Sequence, residues 1–367
     1  MTNPLTGPLA GFLTRAREAN TSAPREVATE KRVSVGKQPE PQSDFRDAHT
    51  YSVHVSSNSR SPAGPVEAPN PVVPEWRRPV RRLWFEICLS WRFIGGDASS
   101  MLLPPMLFTS AAWRSLGGDW KDLLESEGAA LGYFWLALYL FCISNQTTGI
   151  AEDSLNKPHR PLVTGKISLR GAFLRWWCVF ALYMALGVLL GIPEWTALWA
   201  AMTVLYNHLG WARRWYGKNL CIAIATFAQL AAAWEISGPL TKSGWRVIAA
   251  IIFLFNLVMS VQDLRDIAGD FENNRRTLPM VIGQWPTRIF AAIGLSILPV
   301  AVHYWIFGGT SDISLSLRAY EGLLAAVSWI AAARVLLYRD PASDHRTYLL
   351  YTTWYCLLVT SSIAVPP

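Results

Sequence analysis

The sequence predicts an all-α, polytopic membrane helical bundle of about nine transmembrane helices. Three observations carry that expectation. Hydrophobic residues make up 51% of the chain and charged residues only 16%, where soluble domains carry about 25% charge. Apolar runs near the ~20 residues that cross a bilayer as a helix recur along residues 96–364. Many of the 18 tryptophans, among them Trp135, Trp195, Trp245 and Trp305, stand near the ends of those runs. There an indole meets hydrocarbon on one side and headgroups on the other.

Residues 1–75 have another character, rich in Pro, Ser, Asn and scattered charge and without apolar periodicity. Such a segment buries too little apolar area to offset the entropy of ordering, so it is expected to be disordered. Residues 76–367 then form the membrane domain. No apolar signal-peptide core precedes it, and Glu18, Glu26 and Glu30 speak against a mitochondrial transit peptide. Residues 83–94, preceded by Arg81 and Arg82, read as an amphipathic helix in the membrane interface. Spans follow at 96–113, 129–146, 172–191, 193–208, 218–237, 246–264, 288–307, 318–337 and 346–364. Pro104 and Pro105 interrupt the first.

The net charge of +7 does not indicate nucleic acid, because the basic residues punctuate apolar runs and form no soluble patch. Their distribution instead reports sidedness. Arg77, Arg78, Arg81 and Arg82 precede span one, and the connections leaving even-numbered spans carry Lys157, Arg160, Lys166, Arg170, Arg213, Arg214, Lys218, Arg265, Arg275, Arg276, Arg288, Arg334, Arg339 and Arg346. The opposite connections hold Arg114, Lys121, Lys242, Arg246 and Arg318. The positive-inside bias puts the N-terminus and the even-to-odd connections in the cytosol, with the endoplasmic reticulum the expected membrane. The five cysteines show no CxxC spacing and mostly fall inside apolar segments, as small buried hydrophobes do.

Two even-to-odd connections carry the chemistry. Residues 145–165 read NQTTGIAEDSLNKPHRPLVTG. If span two stays helical past Asn145, then Asn145, Gly149, Glu152 and Asn156 share a stripe with Asp153 at its edge. Pro158 and Pro161 end that helix, and Lys157 and Arg160 stand just beyond. Residues 262–283 read QDLRDIAGDFENNRRTLPMVIG, with Asp263, Asp266 and Asp270 at i, i+3 and i+7 and with Arg265, Arg275 and Arg276 beside them. Charged residues at helix ends are commonly solvated loop chemistry. Two matching segments in equivalent connections make that reading weaker. Grouped carboxylates need a cation between them, and hard oxygen ligands suit Mg²⁺ bridged to substrate phosphates. Lys and Arg nearby would take the remaining phosphate oxygens. The substrate this implies has a diphosphate head and an apolar tail lying within the bilayer-embedded bundle.

These paired motifs resemble the two aspartate-rich motifs of the UbiA superfamily of intramembrane prenyltransferases, over about residues 80–365. The second motif matches as Asp263, Asp266 and Asp270 followed by Arg-Arg-Thr-Leu-Pro. The first departs from the family's NDxxDxxxD. Asn145 and Asp153 fit its ends, but Gln146 and Gly149 stand where acids are usual. The form EDxxNKPxRP at residues 152–161 is similar to that of the fungal UbiA-type terpene cyclases. Those enzymes ionise farnesyl or geranylgeranyl diphosphate and cyclise the cation.

The resemblance implies metal-assisted ionisation in a prenyl diphosphate site. Catalytic positions would be Asn145, Asp153, Asp263, Asp266 and Asp270, with Glu152 and Asn156 as further Mg²⁺ ligands. Lys157, Arg160, Lys218, Arg265 and Arg275 would bind diphosphate. A carbocation needs a dry pocket and gains from aromatic faces. Tyr206, Phe227, Gln229, Trp234, Phe253 and Phe255 are the candidates to line it, although ordinary helix packing accounts for each of them too. Asn207 and Asn219 lie in or beside spans, where helix-to-helix hydrogen bonding explains them equally. A fifteen-carbon substrate is favoured over a twenty-carbon one. Two alternatives stay open. One is a prenyltransferase with a phenolic or quinoid acceptor. The other is a transporter or scaffold, against which stand the lack of an obvious repeat and acids gathered at one surface, not the midplane.

Overall fold

Apolar segments of this length leave the backbone no partner but itself in hydrocarbon, and the chain answers with helices. The computed structural model describes residues 77–308 and 314–364. The expected disordered segment 1–75 lies outside the described residues. The elements are α1 (Arg77–Ile94), α2 (Ala98–Met101), α3 (Leu103–Leu116), α4 (Trp120–Thr148), α5 (Ile150–Asn156), α6 (Leu169–Leu189) and α7 (Pro193–Asn207). After them come α8 (Trp215–Ser237), α9 (Lys242–Leu257), a 3-10 helix (Met259–Arg265), α10 (Ile267–Glu272), α11 (Leu278–Ile282), α12 (Gln284–Trp305), α13 (Leu315–Leu337) and α14 (Pro341–Ala364).

Local signals set many of the boundaries. Asp119 caps α4 by accepting from the Asp122 backbone N–H, and the Asp122 side chain accepts from Asp119 N–H in return. Ser168 and Thr241 cap α6 and α9 in the same sense. Pro104 and Pro105 do not break a span. They occupy the first turn of α3, where a missing N–H costs no hydrogen bond.

The long helices close into a ring. Each of α3, α4, α6, α7, α8, α9, α12, α13 and α14 packs on the next, and α14 returns to α3. Their inward faces bury Phe108, Phe134, Leu138, Leu230, Leu254, Leu295 and Leu358. Leu174, Leu182, Leu189, Ile293, Ile297 and Val300 stay exposed on the outside, which suits a lipid-facing surface of a multi-pass membrane protein.

The nine expected spans overlap the nine ring helices, the first taking in α2 as well as α3 and the sixth running on into the 3-10 turn. Six stretches among the described residues are long and apolar enough to cross a membrane, namely α4, α6, α8, α9 with the following 3-10 turn, α12 and α13. Of the other three, α3 and α7 have only 14 and 15 residues, and α14 opens on the polar run PASDHRT.

Candidate functional site

Both acidic segments end in one cavity inside the ring, and neither reaches it as the continuous helix that spacing suggests. The first breaks at Gly149, which lies between α4 and α5 and is not helical (φ −115°). Asn145 therefore stays on α4, while Glu152 and Asp153 turn in from α5, and all three line the cavity. Asn156 is exposed and faces away, against Gly269 of α10. A Cβ at Gly269 would collide with the Asn156 amide, so the close approach of α5 and α10 depends on that glycine.

The second segment is a 3-10 turn followed by a break at Asp266. The three aspartates consequently part company. Asp266 lines the cavity. Asp263 is fully buried against Lys218. Asp270, also buried, accepts from the Thr277 hydroxyl at 2.8 Å.

Charge is matched locally. Arg160 donates to both Asp153 oxygens at 2.7 and 2.8 Å, donates to Asn145 Oδ1 at 3.3 Å, and lies 3.7 Å from Asp97. Asn145 in turn donates to Asn207 on α7 at 3.2 Å. Arg275 lies 2.5 Å from Glu152 and 3.7 Å from Asp270. Arg265 lies 3.4 Å from Asp266 and stacks its guanidinium 4.0 Å over the Tyr348 ring. Lys157 lines the same cavity.

Burial is the main influence on the titration of the loop groups. It pushes Glu152 up, against the pull of Arg275. It also pushes Asp270 up, against Lys218 and the Thr277 hydrogen bond. For Arg160 burial is the largest single influence and works against the charge, but the charge and hydrogen bond of Asp153 together with Asp97 raise the guanidinium.

Among the described residues no three His, Cys, Asp or Glu side chains converge to hold a metal by themselves. The donors present are nevertheless those of a hard cation whose shell is completed by phosphate and water. Among the described residues, carboxylate and amide oxygens line the cavity without any imidazole, and the buried Asp263 Oδ2 has no hydrogen-bond partner.

Away from the charges the cavity becomes apolar. Phe141, Trp199, Met202, Tyr206, Ile222, Phe255, Met259, Tyr351 and Tyr355 line it, with Gln229 held by the Met101 carbonyl. Lys218 and Gln229 lie on the same face of α8, about 16 Å apart along its axis. Phe227 and Trp234, expected here, are about 180° and 160° round the helix from Lys218. They pack elsewhere, Phe227 on Trp195 and Trp245, and Trp234 on Phe108 with its N–H on the Pro239 carbonyl. Phe253, two residues from Phe255, is exposed and packs on Trp305.

The wall that sequence reasoning missed comes from α14. Phe255 stacks on Tyr355 with centroids 4.1 Å apart and on Tyr351 at 5.1 Å, and the Tyr351 hydroxyl donates to the Phe255 carbonyl. Tyr348, Tyr351 and Tyr355 stand at i, i+3 and i+7, a one-face spacing readable in the sequence. Asp97 carried no such signal.

The match to known proteins extends over most of this helical region. The model of the UbiA prenyltransferase family matches residues 102–357. Somaliensene A/B synthase of Streptomyces somaliensis is 39% identical over 78% of this chain and 96% of its own. Two proteins of Hericium erinaceus follow. Diterpene cyclase eriG is 33% identical over 74% of this chain and 84% of its own, and polyprenyl transferase eriF is 32% identical over 76% and 94%. A solved UbiA homolog from Archaeoglobus fulgidus, bound to GPP and Mg²⁺, shares the fold with a TM-score of 0.56 at 15% identity, over 76% of this chain and 100% of its own. The chain belongs to the UbiA prenyltransferase family.

Proposed function

We propose that this chain is a membrane terpene cyclase, which ionises a prenyl diphosphate, releases diphosphate and closes the allylic cation on its own chain. The observation that carries this reading is the meeting of two acid–base helix ends over one aromatic cavity. Relatives named as a synthase and a cyclase support it. The named diterpene cyclase makes geranylgeranyl diphosphate the first substrate to test, ahead of the farnesyl diphosphate that the sequence reading favoured.

The diphosphate head would meet Lys157, Arg160, Lys218, Arg265 and Arg275, whose charges oppose the negative charge that grows as the C–O bond breaks. Asn145, Glu152, Asp153, Asp266 and Asp263 would hold Mg²⁺, which supplies further charge stabilisation for the leaving group when bound. The electron pair of the broken bond leaves with diphosphate. Phe141, Trp199, Phe255 and Tyr355 shield the allylic cation from water and present ring faces to it. A distal double bond of the same chain then attacks, and loss of a proton to the released diphosphate gives the cyclic hydrocarbon. The positive-inside bias supports placing the charge-rich end of the cavity on the cytosolic side, and the endoplasmic reticulum is the membrane proposed.

A transferase reading is supported by the relative named a polyprenyl transferase. Membranes containing the protein, incubated with Mg²⁺ and one prenyl diphosphate at a time and no aromatic acceptor, separate the two by gas chromatography–mass spectrometry. A cyclic hydrocarbon that disappears in Asp266→Ala establishes the cyclase. Intact diphosphate with every chain length, and prenylation once a phenolic acceptor is added, establishes the transferase.

A further inference from the structure

Outside the cavity, the loops before α8 and before α11 carry a second basic cluster. Their backbones join in a short parallel bridge between Arg214 and Arg276. The Trp215 N–H donates to the Arg276 carbonyl at 2.8 Å, and the Arg276 N–H to the Arg213 carbonyl at 2.7 Å. The bridge brings Arg214 and Arg276 into one pocket with Trp215, Tyr216 and Val281.

Both guanidiniums are exposed, and neither makes an ion pair with a carboxylate among the described residues. Arg214 donates to the Tyr216 hydroxyl at 2.7 Å. This distinguishes them from Arg160, Arg265 and Arg275, each of which has a carboxylate partner. Two like charges sharing a pocket call for an anion between them. The surroundings are those of a membrane interface. Trp211, Trp215, Tyr216, Ile282 and Trp285 are all exposed, at or just before the starts of the membrane-spanning helices α8 and α12.

We propose that the Arg214–Arg276 pocket binds the phosphate of an anionic phospholipid. The two forked guanidiniums grip the phosphate oxygens, Trp215 and Tyr216 flank the glycerol level, and Val281 faces the start of the acyl chains. A basic pocket at the end of a membrane helix suits such headgroups. The site has a route to the cavity. Arg275 and Thr277, on either side of Arg276, contact Glu152 and Asp270, so a lipid held at Arg276 braces the segment that carries them. Binding itself does not depend on which reaction the cavity performs.

The test is native mass spectrometry of the delipidated full-length protein, titrated separately with phosphatidylglycerol, phosphatidylcholine and inorganic diphosphate. Phosphatidylglycerol is expected to bind in preference to phosphatidylcholine. The double variant Arg214→Gln/Arg276→Gln is expected to weaken that binding about tenfold, while Arg213→Gln, whose side chain does not line the pocket, leaves it unchanged. Equal affinity in the wild type and the double variant would overturn the proposal, as would equal loss in Arg213→Gln. Displacement of the lipid by inorganic diphosphate would overturn it in favour of a free-phosphate site. Should the glutamine variant not fold, Arg214→Lys/Arg276→Lys decides, because it keeps the charge, loses the fork and is expected to bind several-fold more weakly.

Discussion

Arg275 joins the two acidic segments through one guanidinium, 2.5 Å from Glu152 on α5 and 3.7 Å from Asp270 on α10. Neither segment alone supplies this link. Arg275→Leu takes the shared cation from the half-buried Glu152 and the buried Asp270, both already pushed up by burial. Turnover is expected to fall about 10²–10³-fold, with about 1–3 kcal/mol lost in stability. Product formation and thermal melting measure the two, and wild-type turnover in this variant would remove Arg275 from the site.

The Lys218–Asp263 pair separates folding from chemistry. Both side chains are buried and each neutralises the other. Lys218→Met strands a buried carboxylate and is expected to cost about 3–5 kcal/mol. The double variant Lys218→Met/Asp263→Leu removes both charges and is expected to recover most of that stability, yet to remain inactive for want of charge facing the diphosphate. Restored turnover together with restored stability would make the pair purely structural. Melting temperature and product yield on the wild type, Lys218→Met, Asp263→Leu and the double variant complete the cycle.

The helical class and the two chemical segments were legible in the sequence, because hydropathy and clustered charge are local signals. Nine apolar runs fall on nine helices, although α3 and α7 are short and α14 opens polar. Side-chain direction was less legible, because it depends on where a helix stops. Regular α spacing predicted one stripe from Asn145 to Asn156, and the break at Gly149 turned Asn156 outward. It also grouped Asp263, Asp266 and Asp270, which the 3-10 turn separates. Ring type and a place on a span do not fix direction for Phe227 and Trp234, and counting round α8 from Lys218 turns both away from the cavity. The aromatic wall from α14 required the ring to close, a long-range fact that no local window holds.

That wall predicts control over product. Phe255 stacks on both Tyr351 and Tyr355, so Phe255→Leu leaves both tyrosines without their stacking partner and removes a ring face worth roughly 0.5–2 kcal/mol to a nearby cation. The expected result is a mixture with more linear or water-quenched alcohol and a several-fold lower cyclic yield. Tyr355→Phe keeps the ring and removes a buried hydroxyl that has no hydrogen-bond partner among the described residues, so it is expected to keep the product and to melt no lower. An unchanged product profile in Phe255→Leu would assign cyclisation to another part of the cavity.

Metal removal should abolish turnover and leave the fold intact, and the reason lies in the charge matching. Asp153, Glu152, Asp263 and Asp266 each have a cationic partner, and Asp270 has the Thr277 hydroxyl as well as Arg275. The acids therefore do not need a divalent ion to stay in place. Among the described residues no three Asp, Glu, His or Cys side chains converge on one point, so tight binding must draw on other oxygens, those of substrate and water included. Chelation in membranes is expected to remove product formation without lowering the melting temperature, and Mg²⁺ should raise that temperature only when an unreactive prenyl diphosphate analogue is present. Stabilisation by Mg²⁺ alone, of the size that ligand linkage gives at about a hundredfold excess over Kd, would instead mean that the protein assembles a complete metal site before substrate arrives.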